Sequence, residues 1–503
     1  MRSNRMETER ALGGIWRGAC CLVLVGALPL PWACTAHTVD EPTSNPSRVR
    51  VGQFQEAVNK DLDLIFMVDD SPSMDKLQDK LADQFQVFMQ VLQGLPGGLP
   101  NLHIAVVTTD LGAGVYHLPD LGCPFGGDRG QFQFNVGRNG KVRGANGALT
   151  ACTSTGLMAG QTFISDVAGP NATRIKNYAG DISDVFGCIA GTGSMGCGFE
   201  SPLASVARAL GADGQGPPPD ANLGFLRPNA LLAIVYITNE DDGSVPPGST
   251  LYSVDDPLSP LDNFRAQEYG ILCDGAPPPL DTPMSWPPGH CVPNNDGRLI
   301  PVQTLVDQIR GLKADPSQVL VAAIAGLPDP YGTHLEPISK ASTDQSVFVN
   351  HSCMASDQSF ADPGVRMFGF VDALGGIYES ICAGTFAPAL MQIATAISVK
   401  LGPQCVQGPF VDKDPSKPGV QYDCSVVDRQ LQAGGAVVET ALPSCDDPHQ
   451  GKCWTLTADP RNCAGPDQLL LSFVPAPDPS VSNLSVSVSC SVCIPGTPQP
   501  GCP

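Results

Sequence analysis

Apolar residues in this chain gather into short unbroken runs. A polar turn follows each run, and then a stripe of apolar positions at helical spacing. Leu62–Val68, Leu102–Thr108, Leu231–Ile237 and Val319–Ile324 read as strands buried on both faces. Leu77, Leu81, Phe85, Phe88, Met89 and Leu92 form one helical stripe, and Val302, Leu305, Val306, Ile309 and Leu312 another. Gly376–Ile381 reads as the last strand. A closing helix carries Phe386, Leu390, Ile393, Ile397 and Leu401, with Thr385 as its N-cap and Gly402 as its stop. This alternation predicts an α/β fold: a doubly wound, mostly parallel sheet flanked by helices. On such sheets ligands bind at the carboxyl ends of the strands.

Two stretches interrupt the rhythm. Residues 111–187 and 243–300 are rich in Gly, Pro and Asn and hold Cys123, Cys152, Cys273 and Cys291, so they read as disulfide-pinned loop insertions. From Cys405 the pattern changes again. Helical stripes give way to strand signals at Ala436–Thr440, Trp454–Thr457, Leu469–Val474 and Leu484–Val488 among closely spaced cysteines, which predicts a small disulfide-rich β domain over 405–503. Residues 58–404 then form the α/β domain, and 35–57, polar and carrying Pro42 and Pro46, read as a linker.

The first 34 residues read as an export signal. Arg2, Arg5, Arg10 and Arg17 precede an apolar run from Gly18 to Leu30, shorter than the roughly 20 residues a spanning helix needs. Leu30-Pro31-Trp32-Ala33-Cys34 is similar to a bacterial lipobox, which makes Cys34 the candidate lipidation site; cleavage after Ala36 is the alternative and gives a freely secreted or periplasmic chain. With Cys20 and Cys21 removed and Cys34 lipidated or lost, the 19 cysteines leave an even number for disulfides, as an oxidising compartment permits. The formal charge of −21, with no basic stripe, excludes nucleic acid as a partner.

The candidate chemistry lies just beyond the first strand, in Asp69-Asp70-Ser71-Pro72-Ser73. Alternate positions of a loop can converge on one point, and a carboxylate with two hydroxyls is a hard-oxygen donor set suited to Mg²⁺, Mn²⁺ or Ca²⁺. An ordinary capped strand-to-helix turn uses the same residue types; the position after a buried strand and before a helix favours the metal. A second polar loop, Gly191–Glu200, precedes a helix opened by Ser201-Pro202, and Cys188 and Cys197 bracket it. A third, Thr238–Ser244, follows another buried strand and contains Asn239, Asp241 and Asp242. No H-E-x-x-H, P-loop or G-x-S-x-G pattern occurs, so no enzymatic activity is expected.

The Asp69–Ser73 motif resembles the metal-ion-dependent adhesion site (MIDAS) of the von Willebrand factor A (vWA) family. The resemblance implies that Ser71 and Ser73 bind the ion directly and Asp69 through water, with a Thr from the second loop and an Asp from the third. Thr192 is the candidate threonine, with Ser194 or Glu200 as alternates. Asn239 stands where the family has Asp, with Asp241 or Asp242 as alternates. Ala105–Asp110, Gly196–Glu200, Val321–Gly326, Tyr378–Cys382 and the cysteine-rich tail also resemble exported bacterial vWA lipoproteins. The implied function is cation-dependent adhesion: a Mg²⁺, Mn²⁺ or Ca²⁺ ion captures an acidic side chain of a protein partner. The implied location is the outer membrane or cell surface, with a lipid anchor as the sole membrane attachment. The alternative is a structural cell-envelope protein with a degenerate metal site; a hydrolase is a third reading without a candidate nucleophile.

Overall fold

A computed structural model describes residues 48–502, except 56–59, 96–97, 119–122, 124–125, 144–147, 256–260, 262–263, 296, 338–344, 403–404, 432–436, 460–462, 464–467, 476–483, 494–497 and 499. The signal segment, Cys34 and the first part of the expected linker lie outside the described residues.

Seven strands form the central sheet. In chain order they are β1 (Asp61–Val68), β2 (Asn101–Val107), β3 (Ile164–Ala168), β4 (Arg174–Lys176), β5 (Leu231–Ile237), β6 (Val319–Ala325) and β7 (Ile377–Ser380). Their spatial order is β7-β6-β5-β1-β2-β3-β4. The first five of that order are parallel, and β3 and β4 are antiparallel additions. The expected mostly parallel sheet is therefore present. Its antiparallel edge comes from within the stretch 111–187, which the sequence pattern presents as loop.

The helices are α1 (Asp75–Gln93), α2 (Ile182–Ala190), α3 (Pro202–Ala209), α4 (Phe264–Gly270), α5 (Val302–Arg310), α6 (Val365–Ala373) and α7 (Ala387–Leu401). Alternation along β1 divides the core. Leu62, Leu64, Phe66 and Val68 pack with α1, α2 and α7, whereas Ile65 and Met67 pack with α3, α5 and α6. Phe66 meets Phe85 and Phe186 edge-on at centroid distances of 5.6 and 4.8 Å, which seats α1 and α2 against the strand that carries the motif. The closing helix starts one residue later than expected, with Phe386 at the N-cap; the Thr385 hydroxyl still accepts the Ala387 N–H.

Two antiparallel sheets make up the C-terminal part. One pairs 405–407, 468–474 and 453–457; the other orders strands 48–55, 484–491, 424–431 and 437–442. Residues 48–55, expected as linker, are thus an edge strand paired with 484–491. Their mix of charged and polar positions reads as tether because the partner strand lies more than 400 residues downstream.

Eight disulfides link all the cysteines from 123 onward. Cys188 and Cys197 do not pair with each other: Cys188 bonds Cys152, and Cys197 bonds Cys123, while Cys273 bonds Cys291. Each bracket of the second loop is thereby tied to the 111–187 stretch. Cys490 bonds Cys424, and Cys493 bonds Cys502. No helix among the described residues is long and apolar enough to cross a membrane.

Candidate metal centre

The first loop leaves the sheet where β1 ends. Asp69 N–H continues the ladder by donating to Ile237 O at 3.0 Å, and Met74 N–H closes the turn onto Ser71 O before α1 begins. Asp69 is fully buried and fixed at both carboxylate oxygens. Oδ1 accepts the Ser71 N–H at 2.7 Å, and Oδ2 accepts the Thr238 hydroxyl at 2.7 Å. The hydroxyls of Ser71 and Ser73 lie 3.4 Å apart, and Ser73 donates to Asn239 Oδ1 at 3.0 Å. Asp69, Ser71, Ser73 and Asn239, named from sequence, are therefore brought together from two loops.

Thr192 reaches this group through an intermediary. Gln78 Nε2 donates to Thr192 Oγ1 at 3.0 Å, to Asp69 O at 2.8 Å and to Gly193 O at 2.7 Å, while Gln78 Oε1 accepts the Gly193 N–H. Gln78 is 1% exposed on the core-facing stripe of α1. A polar residue on an apolar stripe was the signal that could have revealed it. Thr109, on the loop after β2, also enters: its hydroxyl lies 3.4 Å from Asp69 Oδ1 and 3.2 Å from Asp70 Oδ1. No hydrogen bond joins Ser194 to the first loop among the described residues.

Asp241 and Asp242, the alternates for Asn239, are committed elsewhere. Asp241 accepts the backbone N–H groups of Arg366 and Met367, each at 3.0 Å, at the start of α6. Asp242 Oδ2 pairs with the Arg366 guanidinium at 2.9 Å, and its Oδ1 accepts the Leu203 N–H at 3.2 Å. Ser201 makes no side-chain cap on α3; Asp242 and Ser244 from the third loop supply the acceptors. Asp241 and Asp242 are thus part of the buried structure.

Buried acidic groups crowd this end of the sheet. Burial raises the Asp69 carboxyl above the ordinary carboxylate range. Asp70 is pushed well above it by burial and then by the charges of Asp69, Asp110 and Asp128. Glu200 is pushed the same way by burial and then by Glu240 and Asp69. A divalent cation would reverse this field. The donors fit such an ion: Ser71 and Ser73 offer neutral oxygens, Asp69 a pre-oriented carboxylate, and the buried Asn239 Nδ2 has no partner among the described residues and can donate to a water or carboxylate. The backbone also crowds in, since Gly196 N–H donates to Asp70 O at 2.8 Å and a Cβ at Gly196 would run into the Asp70 carboxylate.

Among the described residues, one other cluster has metal-like composition, Cys445, His449 and Cys453. Cys445 and Cys453 are disulfide-bonded to each other, so neither supplies a thiolate.

No family model matches the chain, and no curated protein matches it. Among solved structures it is similar to a von Willebrand factor type A protein from Catenulispora acidiphila, at 9% identity over 88% of this chain and 59% of that one, with a TM-score of 0.25. It is also similar to the pilus adhesin SpaC from Lactobacillus rhamnosus GG, at 11% identity over 87% of this chain and 39% of that one, with a TM-score of 0.30. The pilus adhesin RrgA from Streptococcus pneumoniae is matched at 9% identity over 88% of this chain and 58% of that one, with a TM-score of 0.26. The chain spans less than two thirds of each of these three structures.

Proposed function

We propose that this chain is an exported, cation-dependent binding module of the vWA type that captures a protein partner through an acidic side chain. The observation that carries the reading is the convergence of Asp69, Ser71, Ser73 and Asn239 at the carboxyl end of the parallel sheet. Ser71 and Ser73 would hold the ion, with Asp69 and Asn239 oriented behind them and Thr192 positioned by Gln78. When bound, the cation supplies a Lewis-acid position that a partner's carboxylate can complete. The residues of the chain do the rest: Thr238 and the Ser71 N–H hold the Asp69 carboxylate in one orientation, and Asn239 contributes an oxygen without a further negative charge. Mg²⁺ is the favoured ion, with Mn²⁺ or Ca²⁺ as substitutes, and the role is adhesion without catalysis. The disulfides support an oxidising, extracytoplasmic location. A lipid anchor on Cys34 at the outer membrane completes this reading.

A specific observation favours the second reading, a structural envelope protein with a degenerate site. Ser73 already donates to Asn239 Oδ1, and the Thr192 hydroxyl accepts from Gln78, so several of the candidate oxygens already have protein partners. Thermal unfolding separates the two. On the binding reading, Mg²⁺ or Mn²⁺ at a hundredfold excess over Kd stabilises the chain by about 2.7 kcal/mol, EDTA removes the effect, and Ser71→Ala with Ser73→Ala abolishes it. A chain indifferent to both cation and EDTA, but responsive once Asn239→Asp is introduced, supports degeneracy.

A further inference from the structure

We propose a ligand site apart from the candidate metal centre: a groove between α3 and α5 that takes a straight-chain fatty carboxylate. Its volume is about 840 Å³, inside the roughly 300–1,000 Å³ range of small-molecule sites. Ala204 and Ala207 of α3 line it, with Leu111 and Val115 from one insertion and Val245 and Ile300 from the other. Asp69, Ser71, Ser73 and Asn239 do not line it.

These walls select the body of the ligand. They are aliphatic, and Val115 is 49% exposed, so apolar surface faces water until something covers it. The small side chains of Ala204 and Ala207 leave a trough over α3. A peptide laid here would bring an N–H and a C=O at every residue, each needing a partner. The wall has little to give them. Arg208 is already engaged, by Asp213 Oδ1 at 3.3 Å and Pro217 O at 2.8 Å. An acyl chain needs no such partners.

Arg129 selects the head group. It lines the groove and is exposed, and its guanidinium has no ion pair or hydrogen bond among the described residues. The chain carries 50 Asp and Glu against 29 Lys and Arg. An acid without a cation is expected at that ratio, as Asp220 on the same wall is; a cation without an acid is not. Its backbone is also set against preference. Arg129 has φ 55°, a region that residues other than glycine seldom adopt, and such conformations gather at functional sites. The turn is pinned there: Arg129 N–H donates to Gly126 O at 3.1 Å, and Asp128 N–H donates to Asp110 O at 2.9 Å. A carboxylate completes the guanidinium, and an aliphatic tail fills the trough.

Calorimetric titration of the full chain, freed of bound lipid, tests this with octanoate, decanoate and dodecanoate below their micelle concentrations. Affinity is expected to rise about fourfold per added methylene. Arg129→Gln should weaken octanoate at least tenfold and leave octan-1-ol unchanged. Thr304→Trp, at an exposed position of α5 on the groove wall, should block both probes without lowering the melting temperature of the free chain. Because the site is separate, EDTA and Ser71→Ala/Ser73→Ala should leave octanoate binding as it is. A flat chain-length series, or carboxylate uptake that ignores either Arg129→Gln or Thr304→Trp, overturns the inference. So does a chain that takes up no dodecanoate but forms a dimer that Thr304→Trp breaks, which would make the groove an interface between copies.

Discussion

Replacing Arg366 with leucine will cost the fold roughly 3–5 kcal/mol, the penalty for removing one partner of a buried ion pair. Arg366 is fully buried at the start of α6 and its guanidinium reaches Asp242 Oδ2 at 2.9 Å and Ile300 O at 2.7 Å. The substitution leaves Asp242, 1% exposed, as an unpaired buried carboxylate. Asp242 also caps α3 through the Leu203 N–H, so the loss spreads from α6 to the helix that follows the second loop. Denaturant unfolding gives the measurement. The double substitution Arg366→Leu/Asp242→Leu should be less harmful than the sum of the two single ones, because it leaves no orphaned charge. Additive losses would mean that the two side chains do not act as a pair.

Removing the Cys123–Cys197 bridge should have an effect of similar size. The bridge closes a separation of 74 residues, and loop-closure entropy puts its contribution at about 4 kcal/mol. Its position gives it a second consequence. Cys197 follows Gly196, whose N–H holds Asp70 O, so the paired substitution Cys123→Ala/Cys197→Ala frees the second loop beside the candidate metal centre. Unfolding should show the stability loss, and cation titration a weakened affinity. Cys405→Ala/Cys463→Ala, which opens a separation of 58 residues in the C-terminal part, serves as the comparison. It should cost similar stability while leaving cation affinity alone. Equal effects of the two pairs on cation affinity would contradict the local role of Cys197.

The contrast between those two bridges reflects what the sequence makes legible. Buried strands followed by amphipathic helices are local patterns, and β1, β2, β5 and β6 with α1, α5 and α7 follow from them directly. The Asp69–Ser73 loop is legible for the same reason, since strand, loop and helix are contiguous. The roles of Asp241 and Asp242 are not local. In sequence, Asp241 and Asp242 read as well as site alternates as they do as a solvated loop; their pairing with α6, more than 120 residues on, buries them. Helix α6 is hard to see for the mirror-image reason, because Arg366 interrupts its apolar face at the very position that the fold neutralises. Cysteine pairing is likewise a tertiary matter: Cys188 and Cys197 bracket one loop, and the fold brings Cys152 and Cys123 to them from other segments. Gln78 and Thr238 escaped because each acts on Asp69 from another element, through bonds that no short motif encodes.

The second loop bears on the candidate centre through α1. Gln78 engages Thr192 and Gly193 together, so the loop is anchored to α1 beside Asp69. The most direct test of the metal centre is the structure of crystals soaked in Mn²⁺, read by its anomalous scattering. The proposed function predicts a peak about 2.0–2.6 Å from the hydroxyl oxygens of both Ser71 and Ser73, with Asn239 facing it. A map with no peak between those hydroxyls, and Ser73 still donating to Asn239, would contradict it.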